Sequence, residues 1–456
     1  MAHAAAAERR RFRRRERRSA QHPGGGGGRL RRGGARLAAL RARGPGAAPS
    51  RGGRPPDRRR VEGAQRARLD AARHLRSAHR DDGACRPRPP RRQGGTRQRG
   101  QRRLTARAVT SADGVRGHRR SAARGDAARE HRTGPRYQLL VLVTGIGGFA
   151  GRPVAEALVA GGHAVEGILR PPVERSRLVG LSVPLHPLDL LDRDGLRAFV
   201  AARRPDAVVH LAGLSFPPDA ERDPEAAYRA NLGGTLAVLD AVRAGAPAAR
   251  VLAVTSGDVY GTVTPEELPI GEETPLRPLT IYGASKAAAD LTAAQWGRAY
   301  GLDVVRARPF NHTGQGQNAA FVCAALARQI ARIEAGRAEP VVRAGNLDPV
   351  RDFSDVRDIA AGYVALLERG RSGEAYNLCS GAGCSIAEVV AILRTHARVA
   401  VRVASDPALR RPVDVPRVVG SHAKATRDTG WEPRIAWTDT LAAVLENWRA
   451  RVAAEG

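Results

Sequence analysis

"LVTGIGGFAGRPVAEALVAGGHAVEGILRP", Leu142–Pro171, decides how this chain is read. Its apolar start has the residues of a β-strand ending at Thr144. Gly145, Gly148 and Gly151 then space the turn into a helix expected to begin near Phe149. The first glycine permits a tight turn, the second lets the backbone approach a pyrophosphate, and the third lets helix and strand pack closely; the helix N-terminus draws the anion. A glycine triplet alone is a weak signal for dinucleotide binding, and one set between a strand and a helix is a strong one.

The next strand, "AVEGIL", ends in Arg170 instead of the acidic residue that meets the ribose hydroxyls in NAD-binding versions. A guanidinium there suits a 2′-phosphate, so NADP(H) is favoured and NAD(H) stays possible; the competing reading makes Arg170 a solvated loop charge. Asp189 and Leu190 are expected to cover the adenine. "HLAG", His210–Gly213, brings Leu211, Ala212 and Gly213 near the pyrophosphate and ribose, with His210 as a satisfied structural histidine. Phe149 and Pro309 complete the expected cofactor-binding set.

Outward from this segment, strand-like runs ("LLVLVT", "AVEGIL", "VPLHPL", "AVVHLA", "RVLAVTS", "DVVRARP") alternate with amphipathic stretches such as Arg152–Ala160 and Ala226–Ala244. Such alternation specifies an α/β fold, a doubly wound parallel sheet of Rossmann type with helices on both faces. The expected organisation is a dinucleotide-binding domain over 137–310 and a smaller α/β substrate-binding domain over 311–456, with some segments of the latter returning to the former.

Residues 1–136 are of another kind. They hold 40 Arg, no Lys and 10 acidic residues, so they carry +30 of the chain's net +31, whereas the remainder has 36 basic and 35 acidic residues. Poly-Gly, Arg clusters and the lack of any periodic apolar run predict disorder. An Arg-rich arm could neutralise nucleic-acid phosphates, but no aromatic residues are interleaved for base stacking. With 74 Arg against 2 Lys in the whole chain, the composition matches translated GC-rich DNA that is not a natural coding frame. The segment is therefore expected to be a mis-called start, with an inert tail or a nucleic-acid arm as the other readings.

No stretch reaches the ~20 apolar residues of a membrane span. Cys85, Cys323, Cys379 and Cys384 have no paired CxxC spacing, which points to reduced thiols in a cytoplasmic protein and to no metal site. Cys379 and Cys384 are read as packing residues on a strand and turn of the C-terminal domain.

Three polar residues stand where strands end or helices begin. "TSGDVYG" puts Ser256 just beyond the fifth strand, and "YGASKAAAD" puts Tyr282 and Lys286 four apart at a helix start, on one face. An ammonium near a phenol is expected to lower the phenol's pKa, and a serine hydroxyl can hold a carbonyl oxygen beside it. Such a set suits hydride transfer at a carbon–oxygen bond.

These residues, with "TGIGGFAG" (Thr144–Gly151), Asp189 and "NLGGT" (Asn231–Thr235), resemble the extended short-chain dehydrogenases/reductases that act on nucleotide sugars, over nearly all of Leu139–Arg451. "RPFNHTGQGQ" (308–317), "GNLDPVRDFSDVRDIAAGY" (345–363), "GEAYNLCSG" (373–381) and "RRPVDVP" (410–416) look most like the members that reduce GDP-6-deoxy-4-keto-mannose to GDP-rhamnose. The resemblance implies a C-terminal domain that closes over the sugar nucleotide, and a homodimer paired through two helices. It implies substrate contacts at Asn311 and a diphosphate clamp at Arg351 and Arg411; each arginine could instead serve an adjacent Asp, Asp352 or Asp414. Asp258 places an acid where the related GDP-mannose 4,6-dehydratases need one, which keeps a dehydratase or epimerase with a recycled cofactor as the alternative. A non-catalytic dinucleotide sensor is the remote one.

Overall fold

The computed structural model describes residues 138–173, 178–409 and 415–455. The expectations for residues 1–136 and for Arg411 therefore lie outside the described residues.

Strands β1 (Leu140–Thr144), β2 (Ala164–Leu169), β3 (Leu185–Pro187), β4 (Ala207–His210), β5 (Arg250–Val254) and β6 (Asp303–Pro309) follow the six apolar runs of the sequence. Consecutive residues Val141, Leu142 and Val143 are all buried, as they must be in a strand covered on both faces. Every pairing is parallel, in the order β3-β2-β1-β4-β5-β6. The Rossmann-type doubly wound sheet expected from the alternation is present.

The helices are α1 (Gly151–Ala160), α2 (Arg193–Arg203), the short α3 (Pro217–Arg222) and α4 (Pro224–Tyr228), α5 (Gly234–Gly245) and α6 (Ile281–Tyr300). They are followed by α7 (Val322–Glu334), α8 (Val356–Arg369), α9 (Ile386–Thr395), α10 (Ala423–Thr429) and α11 (Trp437–Ala454). Val154 and Leu158 of α1 share one apolar cluster with Ile359 and Leu366 of α8, while Leu196 of α2, Val242 of α5 and Ala293 of α6 share another. The sheet is thus covered on both sides.

Two local readings change. Helix α1 starts two residues later than expected, because residues 145–150 are used in the turn. The stretch read as one helix over Ala226–Ala244 is α4 and α5 joined by a π-helical turn, Arg229–Gly233, which widens the coil around Asn231.

Beyond β6 come β7 (Asn311–Thr313), β8 (Val341–Ala344), β9 (Val350–Asp355), β10 (Ala375–Leu378), β11 (Gly383–Ser385), β12 (Arg402–Ser405) and β13 (Arg417–Val418). β10 leaves this group and pairs in parallel with β6, so the main sheet has seven strands. Cys379, placed by sequence in the C-terminal domain, follows directly on β10 and is buried against Phe310 and Val259; Cys384 does lie on β11. β9 pairs with β7, β11 and β13, and β8 with β12. Over these strands α7, α9 and α11 enclose a third cluster that includes Leu326, Leu393 and Leu445.

Leu252 lies in mid-β5 with no exposed surface. Leu252→Ala should lower the unfolding free energy by about 2–5 kcal/mol, read as an earlier urea midpoint at unchanged slope.

Candidate active site

Where the strand order reverses, β1 and β4 lie side by side with Thr144 opposite His210, and the segments that follow them diverge. That divergence opens a crevice at the carboxyl ends of the strands, the place where doubly wound sheets bind ligands. A cavity of about 1260 Å³ occupies it. This exceeds the ~300–1,000 Å³ of a site for one drug-sized molecule, and it has room for a dinucleotide and a second ligand.

The glycine turn forms one end. Gly145 has φ +71°, and a Cβ there would meet the Ala212 backbone at 2.7 Å; a Cβ on Gly151 would run into the Ile146 carbonyl. The turn can therefore close only with glycine at both positions. Helix α1 begins with no side-chain cap and no acidic residue in its first turn, and the backbone of residues 147–151 leading into it lines the cavity at the positive end of the helix. This setting fits a pyrophosphate. Arg170, Asp189 and Leu190 line the same end, with Arg170 exposed at the tip of β2. Leu211, Ala212, Gly213 and Pro309 line the cavity floor.

His210 is held as expected. Its ring nitrogens pair with Thr144 Oγ1 at 2.8 Å and Thr235 Oγ1 at 3.2 Å, and burial, aided by the nearby Lys286 charge, lowers its pKa to about 3. It is a neutral link between β1, β4 and α5.

Ser256, Tyr282 and Lys286 come together on the cavity wall. Helix α6 is fixed at its start: Thr280 accepts from Gly283 N–H at 3.0 Å, and Glu221 of α3 accepts from Ile281 N–H at 2.8 Å. A Cβ on Gly283 would lie 2.7 Å from the Asp258 carbonyl, so glycine lets α6 close onto the turn that carries Ser256. Ser256 Oγ accepts from Asp258 N–H at 3.1 Å, and Ser256 lies near enough to the Tyr282 phenol to exert a small pull on it. Lys286 Nζ donates to the Val254 carbonyl at 3.2 Å, tying α6 to the end of β5.

The electrostatics overturn one expectation. Lys286 does not draw the Tyr282 phenol down; burial and then the Asp258 charge push it well above its ordinary value, against a lesser pull from Ser256. The reason is depth: Tyr282 is 8% exposed, and excluding water disfavours the phenolate. That direction favours the protonated phenol. Burial likewise lowers the Lys286 ammonium to about 8.

A family model described as GDP-mannose 4,6 dehydratase matches residues 142–444. GDP-6-deoxy-D-mannose reductase from Pseudomonas aeruginosa is 40% identical over 315 residues, which are 69% of this chain and 99% of that protein. The chain belongs to the GDP-mannose 4,6-dehydratase family. Among solved structures, that of RMD from Pseudomonas aeruginosa complexed with NADPH is 39% identical, with a TM-score of 0.61 and coverage of 69% of this chain and 100% of that one. A UDP-glucose 4-epimerase from Streptomyces lividans is 32% identical, covering 67% of this chain and 94% of that protein. Family membership agrees with the resemblance read from the glycine turn and the Tyr-x-x-x-Lys pair.

Asp258, Asn311 and Arg351 line the same cavity. Arg351 donates to the carbonyls of Val350 and Val415 at 2.9 and 2.6 Å. The Asp352 carboxylate meanwhile accepts from Ser380 N–H and Oγ, Gly381 N–H and Gly420 N–H, so it pins loops instead of serving as an exposed counter-charge.

Two site residues escaped the sequence reading. His312 stacks on Phe149 with ring centroids 6.1 Å apart and planes 14° apart, joining the glycine turn to β7; only the fold brings these residues together. Asn231 accepts from Leu214 N–H at 2.9 Å and donates to Ser285 Oγ at 2.8 Å, between the β4 loop and α6. It was part of a quoted motif, and a buried Asn inside an apolar helix was the signal available for it.

With only two lysines in the chain, the side-chain ¹³Cε resonances are readily assigned. One should titrate near pH 8, losing charge as pH rises, and be missing from Lys286→Met. A Lys286 resonance that keeps its charge at pH values above about 10, the ordinary lysine range, contradicts this electrostatic reading.

Proposed function

We propose that this NAD(P)-dependent oxidoreductase reduces the 4-keto group of a GDP-4-keto-6-deoxy-mannose-type nucleotide sugar, giving GDP-rhamnose, with NADP(H) as the favoured cofactor and NAD(H) as a possible one. The observation that carries the reading is a buried Tyr282 that lines, with Ser256 and Lys286, the same cavity as the glycine turn. The 40% identity to a GDP-6-deoxy-D-mannose reductase supports the same choice of substrate.

The nicotinamide, when bound, supplies the hydride. Tyr282 gives its proton to the oxygen that becomes the C4 hydroxyl, and Ser256 hydrogen-bonds that oxygen as its charge develops. A ketone reduction consumes one proton per turnover, so a phenol held protonated stands in the state this direction requires. Lys286 would hold the nicotinamide ribose, and Arg170 would meet the 2′-phosphate. Arg351, with Arg411, would clamp the sugar's diphosphate by guanidinium forks, and Asn311 would contact the sugar.

One observation favours a second reading. Asp258 lines the cavity close enough for its charge to act on Tyr282, and an acid there could serve a dehydratase or epimerase that returns the hydride. Cytoplasmic operation belongs to the proposal, on the free thiols of Cys323, Cys379 and Cys384; no helix among the described residues is long and apolar enough to cross a membrane. So does a homodimer through the outer surface of α6 and its neighbours, where Leu291 is 58% and Tyr300 47% exposed.

Tyr282→Phe should lower turnover by about 10²–10⁴-fold while NADPH binding, followed by fluorescence, stays near wild type. The wild-type enzyme should oxidise one NADPH per sugar; turnover without net NADPH loss would select the dehydratase or epimerase. Leu291→Glu should shift sedimentation from dimer to monomer, and an unchanged dimer would exclude α6 as the interface.

A further inference from the structure

Behind the catalytic residues, one turn beyond Lys286 on the same stripe of α6, Asp290 is fully buried. All the acceptor sites of its carboxylate are filled. Oδ1 accepts from Arg306 NH1 at 2.7 Å and Arg308 NH2 at 2.8 Å; Oδ2 accepts from Arg308 Nε at 2.9 Å and Thr255 Oγ1 at 3.1 Å. Thr255 immediately precedes Ser256, and Arg306 and Arg308 lie two apart on β6, facing one side of the sheet. One carboxylate therefore ties the catalytic helix to the residue next to the catalytic serine and to the strand beneath both.

The ties continue outward. Arg308 NH1 donates to the Tyr260 hydroxyl at 2.9 Å, which donates to Asn377 Oδ1 at 2.7 Å on β10. Tyr260 closes the "TSGDVYG" turn, so the turn is held at both ends, by Thr255 and by Tyr260.

Buried ion pairs do little for net stability, since desolvation offsets most of the Coulomb gain and a well-packed apolar set holds a fold as well. What an apolar set cannot supply is direction. A forked guanidinium fixes distance and angle together.

We infer that Asp290 is a positioning residue: it sets the Ser256 hydroxyl and the Tyr282–Lys286 face of α6 against each other by bridging Thr255, Arg306 and Arg308. This rests on the reading of Ser256, Tyr282 and Lys286 as the catalytic set. An amide in its place keeps one acceptor oxygen and turns an NH₂ toward donors, so two of the four bonds are lost.

Asp290→Asn should lower kcat by about 10²-fold while KM for NADPH and for the keto sugar stay within about threefold, because binding surfaces remain and only the alignment of reacting groups changes. Val444→Ala, in the cluster under α11, supplies the control: a comparable loss of stability with kcat unchanged. Should Asp290→Asn fail to fold, Thr255→Val removes, at near-constant volume, the hydroxyl shared between Asp290 Oδ2 and the Ala307 carbonyl, and should lower kcat by a smaller factor at unchanged KM. Wild-type kcat in Thr255→Val, or kcat in Asp290→Asn falling only in step with the folded fraction, overturns the inference. If the wild-type protein reduces no keto sugar, the proposed reaction fails by itself. The positioning role is then decided by a crystal structure of Thr255→Val, where an undisplaced Ser256–Tyr282 pair refutes it.

Discussion

The structure depends on the parting of two parallel strands. β1 and β4 share a full ladder up to Thr144 and His210, and the chain then leaves in opposite senses, toward α1 and toward α3. Backbone groups at such a divergence lose their sheet partners, so the crevice is polar at its base and needs other bonds to hold it. His210 supplies them by joining Thr144 to Thr235, and burial keeps it neutral while doing so. The glycine turn, the β4 loop and α6 all take their places from that fixed rim.

Depth then sets the chemistry. The wall that excludes water from Tyr282 raises its phenol and lowers the Lys286 ammonium, opposite directions with one cause, the cost of charge in an apolar place. Two buried polar groups behind it are fully bonded, Asn231 with Leu214 and Ser285 and Asp290 with Thr255 and two arginines, while Arg306 Nε in the second network has no hydrogen-bond partner. Hydroxyl, phenol and ammonium accordingly project from elements bonded to each other behind the surface.

Much of this was legible in the residues. Six apolar, strand-like runs located β1 to β6, and glycine spacing located the turn, because these signals are local and repeat over several residues. Tyr282 and Lys286 were legible because i,i+4 spacing on a helix is geometric. Three features were not. The direction of the Tyr282 shift depends on what covers the phenol, and spacing carries no information about burial. The π-helical turn at Arg229–Gly233 differs from a regular helix by one residue per turn, too little to register in an apolar pattern. β10 is a four-residue run more than sixty positions from the strand it joins, and nothing within "AYNL" says which sheet it serves.

That borrowed strand has a consequence for how the molecule must be made. β6 has Arg306 and Arg308 aimed at α6, and its outer edge is covered only when residues 375–378 arrive. A nascent chain halted short of them would present an unzipped backbone edge, open to pairing with any other extended segment. Synthesis through residue 378 therefore precedes a finished seven-stranded sheet, and a chain cut near residue 310 would leave the outer edge of β6 uncovered.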